Sequence, residues 1–184
     1  SGSLLSHFAI FEVAAYHKLI AVTEVAMNIA PNLQDKIAIV NNSVACLNKL
    51  GVDMPKVAVL GAVEMVSENM QATLDAALLS KMNQRDQIRN CLIDGPLAFD
   101  NAISLESARH KGIRSDVAGD TDLLLMPDIE VGNVLYKSLV FFAHAGVAAV
   151  ILGATAPIVL TSRSDSDQAK YDSIVLAAAI SRKD

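Results

Sequence analysis

The chain has 184 residues, 52% of them apolar, with a formal net charge of −5 and only 4% aromatic side chains. That length supports one sizeable core, or one domain with part of another, and the acidic balance leaves no general basic footprint for nucleic acid. A mean hydropathy of +0.38 without Trp, carried by Ala, Val, Ile and Leu, suits helices packed on buried strands better than a β-sandwich.

Phe8 to Val13 and Leu19 to Val25 read as two strands joined by a five-residue turn, which predicts an antiparallel hairpin. Asn32 is placed to cap a helix from Leu33 to Leu50, where Ile37, Val40, Val44, Leu47 and Leu50 follow the 3.6 period and Gly51 ends it. A strand over Lys56–Leu60, a polar loop over Glu64–Asn69 and a helix over Met70–Arg85 come next. Asn90 to Ile93 reads as a short strand ending at Asp94-Gly95, and Asp100 is placed to cap a helix from Ala102 to Lys111. Asp122–Met126 is a strand, Gly132–Phe142 a helix, Val147–Leu152 a strand. Ile158–Leu160 is a last strand-like run before a helix over Gln168–Ile180.

Strand and helix alternate after the hairpin, so the predicted class is α/β with a mostly parallel sheet, flanking helices and an N-terminal hairpin. In such sheets ligands bind outside the carboxyl ends of the strands. The predicted ends are Asp94-Gly95, Pro127-Asp128, Gly153-Ala-Thr155 and Thr161-Ser162-Arg163. Ser138 to Leu160 is long enough to cross a membrane, but Gly146, Gly153 and Pro157 cut it into helix- and strand-sized pieces. No basic segment followed by an apolar one marks a secretory signal. Ser1-Gly2-Ser3 reads either as an expression scar or as native sequence running into Leu4-Leu5.

The dinucleotide and Walker glycine patterns are absent, as are a Gly-x-Ser-x-Gly elbow and a His-Glu-x-x-His zinc motif. His7, His17, His110 and His144 share no metal spacing, and Cys46 and Cys91 read as buried free thiols of a reducing compartment. Thr161-Ser162-Arg163-Ser164-Asp165-Ser166 leads into a helix N-terminus, where free N–H groups, hydroxyls and an Arg fork suit a phosphate. The same pattern also fits a capping box beside an exposed Arg. Asp165 and Asp167 fit either a general base or ordinary dipole complements. Asp94-Gly95-Pro96 fits a close ligand approach or a tight turn. The acidic residues around Ala118–Asp128 have no EF-hand spacing and suit positioning rather than metal binding. Arg109 to Arg114 is a basic run at a helix C-terminus, where cations are expected on dipole grounds.

Four ordered motifs together carry a resemblance. They are Asp94-Gly-Pro-Leu-Ala-Phe-Asp-Asn-Ala102, Ala118-Gly-Asp-Thr-Asp-Leu-Leu-Leu-Met-Pro-Asp128, Gly132-Asn-Val-Leu-Tyr-Lys137 and Pro157-Ile-Val-Leu-Thr-Ser-Arg-Ser-Asp-Ser166. With them the chain resembles the phosphate acetyltransferase/phosphate butyryltransferase family, nearer its butyryl branch, over the C-terminal two thirds or so of a member. The resemblance implies an isocitrate/isopropylmalate dehydrogenase-like fold. Residues 1–155 would be the second α/β domain, and residues 156–184 a segment returning to a first domain whose N-terminal part is absent.

It implies reversible acyl transfer between coenzyme A and inorganic phosphate in a cytoplasmic homodimer. Acyl-CoA and phosphate are the substrates, with no permanently bound cofactor, no metal, no nucleic acid and no membrane partner. Ser162, Arg163 and Asp165 are the implied catalytic residues: Arg163 at phosphate, Ser162 at the departing thiolate, Asp165 as a base. Asp94, Gly95, Gly119, Asp120, Asn133, Thr161, Ser164 and Ser166 are the implied substrate-binding residues. The acetyl branch carries an aspartate where ungapped counting puts Ala169, which leaves the base open. A non-catalytic CoA-binding or dimerisation fragment is the alternative.

Overall fold

The structure is a computed structural model that describes residues 4–161 and 165–181. Its centre is a six-stranded sheet built from β1 (Ser6–Glu12), β2 (Ile20–Thr23), β3 (Lys56–Leu60), β4 (Leu92–Leu97), β5 (Leu123–Leu125) and β6 (Gly146–Leu152), in the order β4-β3-β5-β2-β1-β6. β4, β3, β5 and β2 pair in parallel, whereas β1 runs antiparallel to both its neighbours. The predicted hairpin is therefore present, but inside the sheet. β6 closes over its outer side with seven residue pairs, from Ser6↔Leu152 to Glu12↔Gly146.

Helices cover both faces, because the strands are apolar on both sides. Helices α1 (Leu33–Lys49), α2 (Gln71–Gln84) and α6 (Asp167–Ser181) pack on one face around Phe8, Val44, Leu79, Leu123 and Leu176. Helices α3 (Phe99–Ile103), α4 (Leu105–His110) and α5 (Ile129–Phe141) pack on the other around Phe11, Val22, Ala102, Leu124 and Met126. The starts of α1, α5 and α6 follow from a side chain that takes an orphan N–H, whereas α2 begins after Met70 without one. Asn32 and Asp35 form a reciprocal capping box on α1, Asp128 accepts from Val131 N at 2.9 Å on α5, and Ser166 accepts from Ala169 N at 3.1 Å on α6.

Four expectations change. The helix expected over Ala102–Lys111 is two short helices, because Ser104 is extended (φ −123°, ψ 112°) and accepts from Ser107 N at 3.2 Å. A serine that bonds the backbone ahead of it restarts a helix instead of continuing one. Asp100 thus sits in the first turn of α3, and Ser104 caps α4. The strand expected to end at Ile93 runs on to Leu97, through Asp94, Gly95 and Pro96. Pro96 is tolerated because β4 is an edge strand with one side free of ladder partners.

α5 begins at Ile129 rather than Gly132, since Asp128 supplies the cap. Finally, Ile158–Leu160 forms only a single antiparallel bridge, Ile151↔Ile158, not a strand. Much of the β6 edge is already taken by α6, where Ser173 Oγ accepts from Ala149 N at 2.9 Å. The apolar stretch Ser138–Leu160 divides into the end of α5, β6 and this bridge, and no helix among the described residues is long and apolar enough to cross a membrane.

One buried ion pair ties the first two long helices together. Lys36 Nζ lies 2.6 Å from Asp75 Oδ2 with both side chains almost fully buried, and Gln71 donates to the other carboxylate oxygen at 2.8 Å. Removing one partner leaves an uncompensated buried charge. We expect Lys36→Met to lower unfolding free energy by about 3–5 kcal/mol in urea titrations, and the double variant Lys36→Met/Asp75→Leu to recover most of it. Equal losses in the single and double variants would refute this account.

Candidate active site

Because β2, β3, β4, β5 and β6 all end on one edge of the sheet and β1 begins there, that edge gathers residues from all six strands. A cleft of about 410 Å3 opens at its β2–β1 end. His7 of β1, Val25 and Ala26 after β2, Asn133, Tyr136 and Lys137 of α5, and Leu160, Thr161 and Asp165 line it. Asn133 Nδ2 donates to the Val25 carbonyl at 3.4 Å, which fixes the first turn of α5 against the chain leaving β2. Gly132 makes that approach possible, since a Cβ there would lie 2.4 Å from the Glu24 carbonyl oxygen.

Glu24 organises the same corner. Its backbone is left-handed (φ 70°), its Oε1 accepts from Met27 N and Asn28 N at 3.1 and 2.9 Å, and its Oε2 accepts from Asn28 Nδ2 at 2.9 Å. Burial pushes its carboxyl above the usual range, and those hydrogen bonds pull the other way. The corner is thus built around a carboxylate engaged by the protein's own backbone.

His7 is 4% exposed, and its Nδ1 is buried without a hydrogen-bond partner among the described residues. Burial lowers its pKa to about 4, so the imidazole is neutral near pH 7. Its ring meets Tyr136 edge-on at 6.1 Å, and Tyr136 in turn meets Phe11 at 5.2 Å. The Tyr136 hydroxyl is raised to about 12 by burial first and by the charge of Asp165 second.

A second, larger cleft of about 700 Å3 lies on the other side of α5. It is mostly apolar, between the ends of β3 and β5 and the residues Met70, Phe99, Val131 and Val134.

The structure brings together three residues expected from sequence, Asn133, Thr161 and Asp165. Ser162, Arg163 and Ser164 lie outside the described residues; in the chain they fall between Thr161 and Asp165, which both line the cleft. Ser166 is the cap of α6, and Ala169 is buried against the sheet face that carries Phe11. Asp94 and Gly95 sit within β4, the far edge strand, with three strands between it and β1. Asp94 Oδ1 accepts from Gly95 N at 2.8 Å, and Gly95 is required by packing: a Cβ would lie 2.7 Å from the Val59 carbonyl oxygen.

Gly119 and Asp120 precede β5, which puts them on the opposite edge. Gly119 (φ 77°) packs against Leu105, and Asp120 anchors an ion network with Lys56 at 2.6 Å, Lys18 at 2.9 Å and His17 at 2.8 Å. Lys18 also reaches Asp122 at 2.6 Å. The basic run ends in the same plain way, with Lys111 paired to Glu64 at 3.0 Å.

His7, Tyr136 and Lys137 are cleft residues that spacing arguments did not single out. A signal was present: in β1, His7 shares its face with Ala9 and Phe11, so a polar ring stands where alternation calls for an apolar one.

Residues 1–178 match the family model described as "Phosphate acetyl/butaryl transferase". The chain belongs to this family. It is 46% identical over 183 residues to the phosphate butyryltransferase of Clostridium beijerinckii, covering 100% of this chain and 61% of that protein. It is also 46% identical over 178 residues to the phosphate acetyltransferase of Thermotoga maritima, covering 97% and 60%. A solved branched-chain phosphotransacylase from Enterococcus faecalis superposes with a TM-score of 0.89 at 39% identity, over 98% of this chain and 64% of the other. The chain therefore spans about three fifths of the length of these curated relatives.

The Lys56, Lys18 and His17 partners hold the Asp120 carboxyl well below the usual carboxylate range. A depressed carboxylate contributes stability that is present above its unfolded pKa of about 3.9 and is lost as pH falls below it. Asp120→Asn is expected to lower stability at pH 7 by on the order of 1 kcal/mol, since the network is half-exposed. The gap to the unsubstituted protein should narrow in urea titrations at pH 3. A gap that widens on acidification would contradict the assignment.

Proposed function

We propose that this chain carries the catalytic cleft wall of a phosphate acyltransferase that moves a short acyl group between coenzyme A and inorganic phosphate. Butyryl or a similar branched or straight chain is the preferred acyl group. The observation that carries the reading is the cleft at the carboxyl edge. Thr161 and Asp165 line it on either side of the Ser162-Arg163-Ser164 sequence, opposite Asn133 and Lys137 of α5. Family membership supports the reaction class, and the butyryltransferase and branched-chain relatives support the acyl preference.

The chemistry asks little covalent work of the protein. A phosphate oxygen attacks the thioester carbonyl, the carbon–sulfur bond breaks, and the sulfur leaves with the bonding pair. The barrier is lowered by holding two anionic reactants at attack distance and by donors aimed at the charge that develops. Arg163 is the fork for the phosphate oxygens. Ser162 donates to the departing sulfur. Asp165 stands beside them as the candidate base, with Lys137 as a second cation for phosphate charge. Asn133, Thr161, Ser164 and Ser166 complete the substrate contacts of this reading; Asp94, Gly95, Gly119 and Asp120, which lie away from the cleft, are not part of it.

The proposed architecture is the two-domain isocitrate/isopropylmalate dehydrogenase-like arrangement. Residues 1–155 form the second domain, and residues 156–184 return toward the first. The sheet's one reversed strand and its helices on both faces fit it. A homodimer through residues 1–155 fits the apolar side chains left exposed on α5, where Val134 is 65% and Phe141 60% exposed. Cys46 and Cys91, raised by burial to about 12 and about 11, are inert thiols suited to a cytoplasmic enzyme with no bound cofactor.

The full-length enzyme should release CoA from butyryl-CoA only when phosphate is supplied; thiol release without phosphate would sink the reading. Arg163→Ala should mainly raise the phosphate KM. Ser162→Ala should mainly lower kcat, by about a hundredfold or more. Unchanged steady-state kinetics in both would remove these residues from the site.

A further inference from the structure

His7 is the one buried ionisable side chain in the cleft to which the acyl-transfer reading has assigned no role. Its position is not incidental to the fold. The register of β1 with β6, His7↔Ile151, and the Thr23 Oγ1 and Glu24 N hydrogen bonds to the His7 carbonyl at 2.7 and 3.2 Å hold its backbone rigidly at the carboxyl edge. Tyr136 holds its ring edge-on. A buried nitrogen normally has a partner, and one left without it loses about 1–3 kcal/mol of hydrogen bonding. His7 Nδ1 has none among the described residues, and His7 lines the cleft together with Thr161 and Asp165.

Resting on the acyl-transfer reading, we propose that His7, in place of Asp165, is the catalytic proton carrier of this cleft, passing the proton between phosphate and the coenzyme A sulfur. In the direction of acyl phosphate synthesis, hydrogen phosphate forms the new carbon–oxygen bond and gives its proton to the imidazole. The carbon–sulfur bond breaks and the sulfur departs as thiolate. The imidazolium then returns the proton to that sulfur, leaving acyl phosphate, free thiol and a neutral ring. In the reverse direction the ring removes the thiol proton as sulfur attacks the acyl phosphate.

The surroundings suit a ring that is neutral at rest and binds a proton only during turnover. Burial holds its pKa at about 4. An anionic phosphate or thiolate placed against it favours the charged form and raises it toward neutrality. The titratable groups that face it are Tyr136 and Lys137 from α5, Asp165 before α6, and Glu24 at the end of β2, whose carboxylate is held beside the His7 backbone.

The test uses the full-length enzyme in the thiol-consuming direction, with butyryl phosphate and coenzyme A, between pH 6.5 and 8.5. With His7 in place the thiol is deprotonated within the site, and kcat/KM for coenzyme A should stay within about threefold over this range. His7→Asn and His7→Gln must use thiolate formed in solution, from a thiol whose ordinary pKa is about 8.5. Their kcat/KM for coenzyme A should be about a hundredfold lower at pH 6.5 and should climb close to tenfold per pH unit up to about pH 7.5.

A defect of packing alone would lower the rate by one factor at every pH. Parallel profiles, or variants as fast as the parent, would overturn the proposal. If neither variant folds, 15N resonances of the unsubstituted enzyme decide: a His7 Nδ1 signal that shifts on saturation with coenzyme A supports the role, and an unmoved one removes it. An unsubstituted enzyme that shows no phosphate-dependent thiol release would instead sink the acyl-transfer reading itself.

Discussion

The placement of β1 between β2 and β6 is the constraint on which the rest depends. A reversed strand inside an otherwise parallel sheet must satisfy ladders on both sides at once, and β1 does so with four pairs to β2 and seven to β6. Because side chains alternate, that double register decides which residues face which helices. Ser6, Phe8 and Ile10 face α1, while His7, Ala9 and Phe11 face α5. A slip of one residue would exchange the two sets, putting Phe8 in the cleft and His7 in the core with Val44 and Leu79. Pinning β1 also fixes the corner at Glu24, since Thr23 and Glu24 both bond to the His7 carbonyl.

The two edges of the sheet solve opposite electrostatic problems. On the amino edge, Lys18 and Lys56 meet Asp120 and Asp122, and the charges are consumed in local pairs. On the carboxyl edge the described residues of the cleft include the neutral ring of His7, the phenol of Tyr136, Asn133, Thr161, Lys137 and Asp165. In a partly buried site an entering anion meets donors with less dielectric screening than in water. The Glu24 carboxylate nearby is engaged by Met27 and Asn28, which keeps its charge directed at the loop after β2.

The parts of the fold that were legible from sequence share a physical basis. Periodic apolar residues with a side-chain cap, as in α1 with Asn32 and Gly51, report a local energy balance that tertiary context does not overturn. Breaks such as Gly146, Gly153 and Pro157 were equally local, and they divided the long apolar stretch into the end of α5 and β6 as expected, although Ile158 forms only a bridge. Where two local signals competed, the reading failed. Ser104 could continue a helix or cap a new one, and Pro96 could end a strand or lie along a free sheet edge. Only the packing of α3 and α4 and the position of β4 at the edge decide those cases.

By itself, then, the sequence determined the α/β class, the order of elements, the antiparallel hairpin and, through four separated motifs, the family. These follow from local periodicity and from chemistry-bearing residues at fixed spacing. It did not determine which motif residues share a site. Asn133, Thr161 and Asp165 meet because α5 and the approach to α6 converge on the carboxyl edge, whereas Asp120 is carried to the amino edge and Asp94 to a remote strand. Nor could it single out His7, whose significance depends on two strands that start 13 and 139 residues further along and fix the parity of β1. Proximity across a sheet is set by strand order and register, and these are chosen by the whole core rather than by any segment of it.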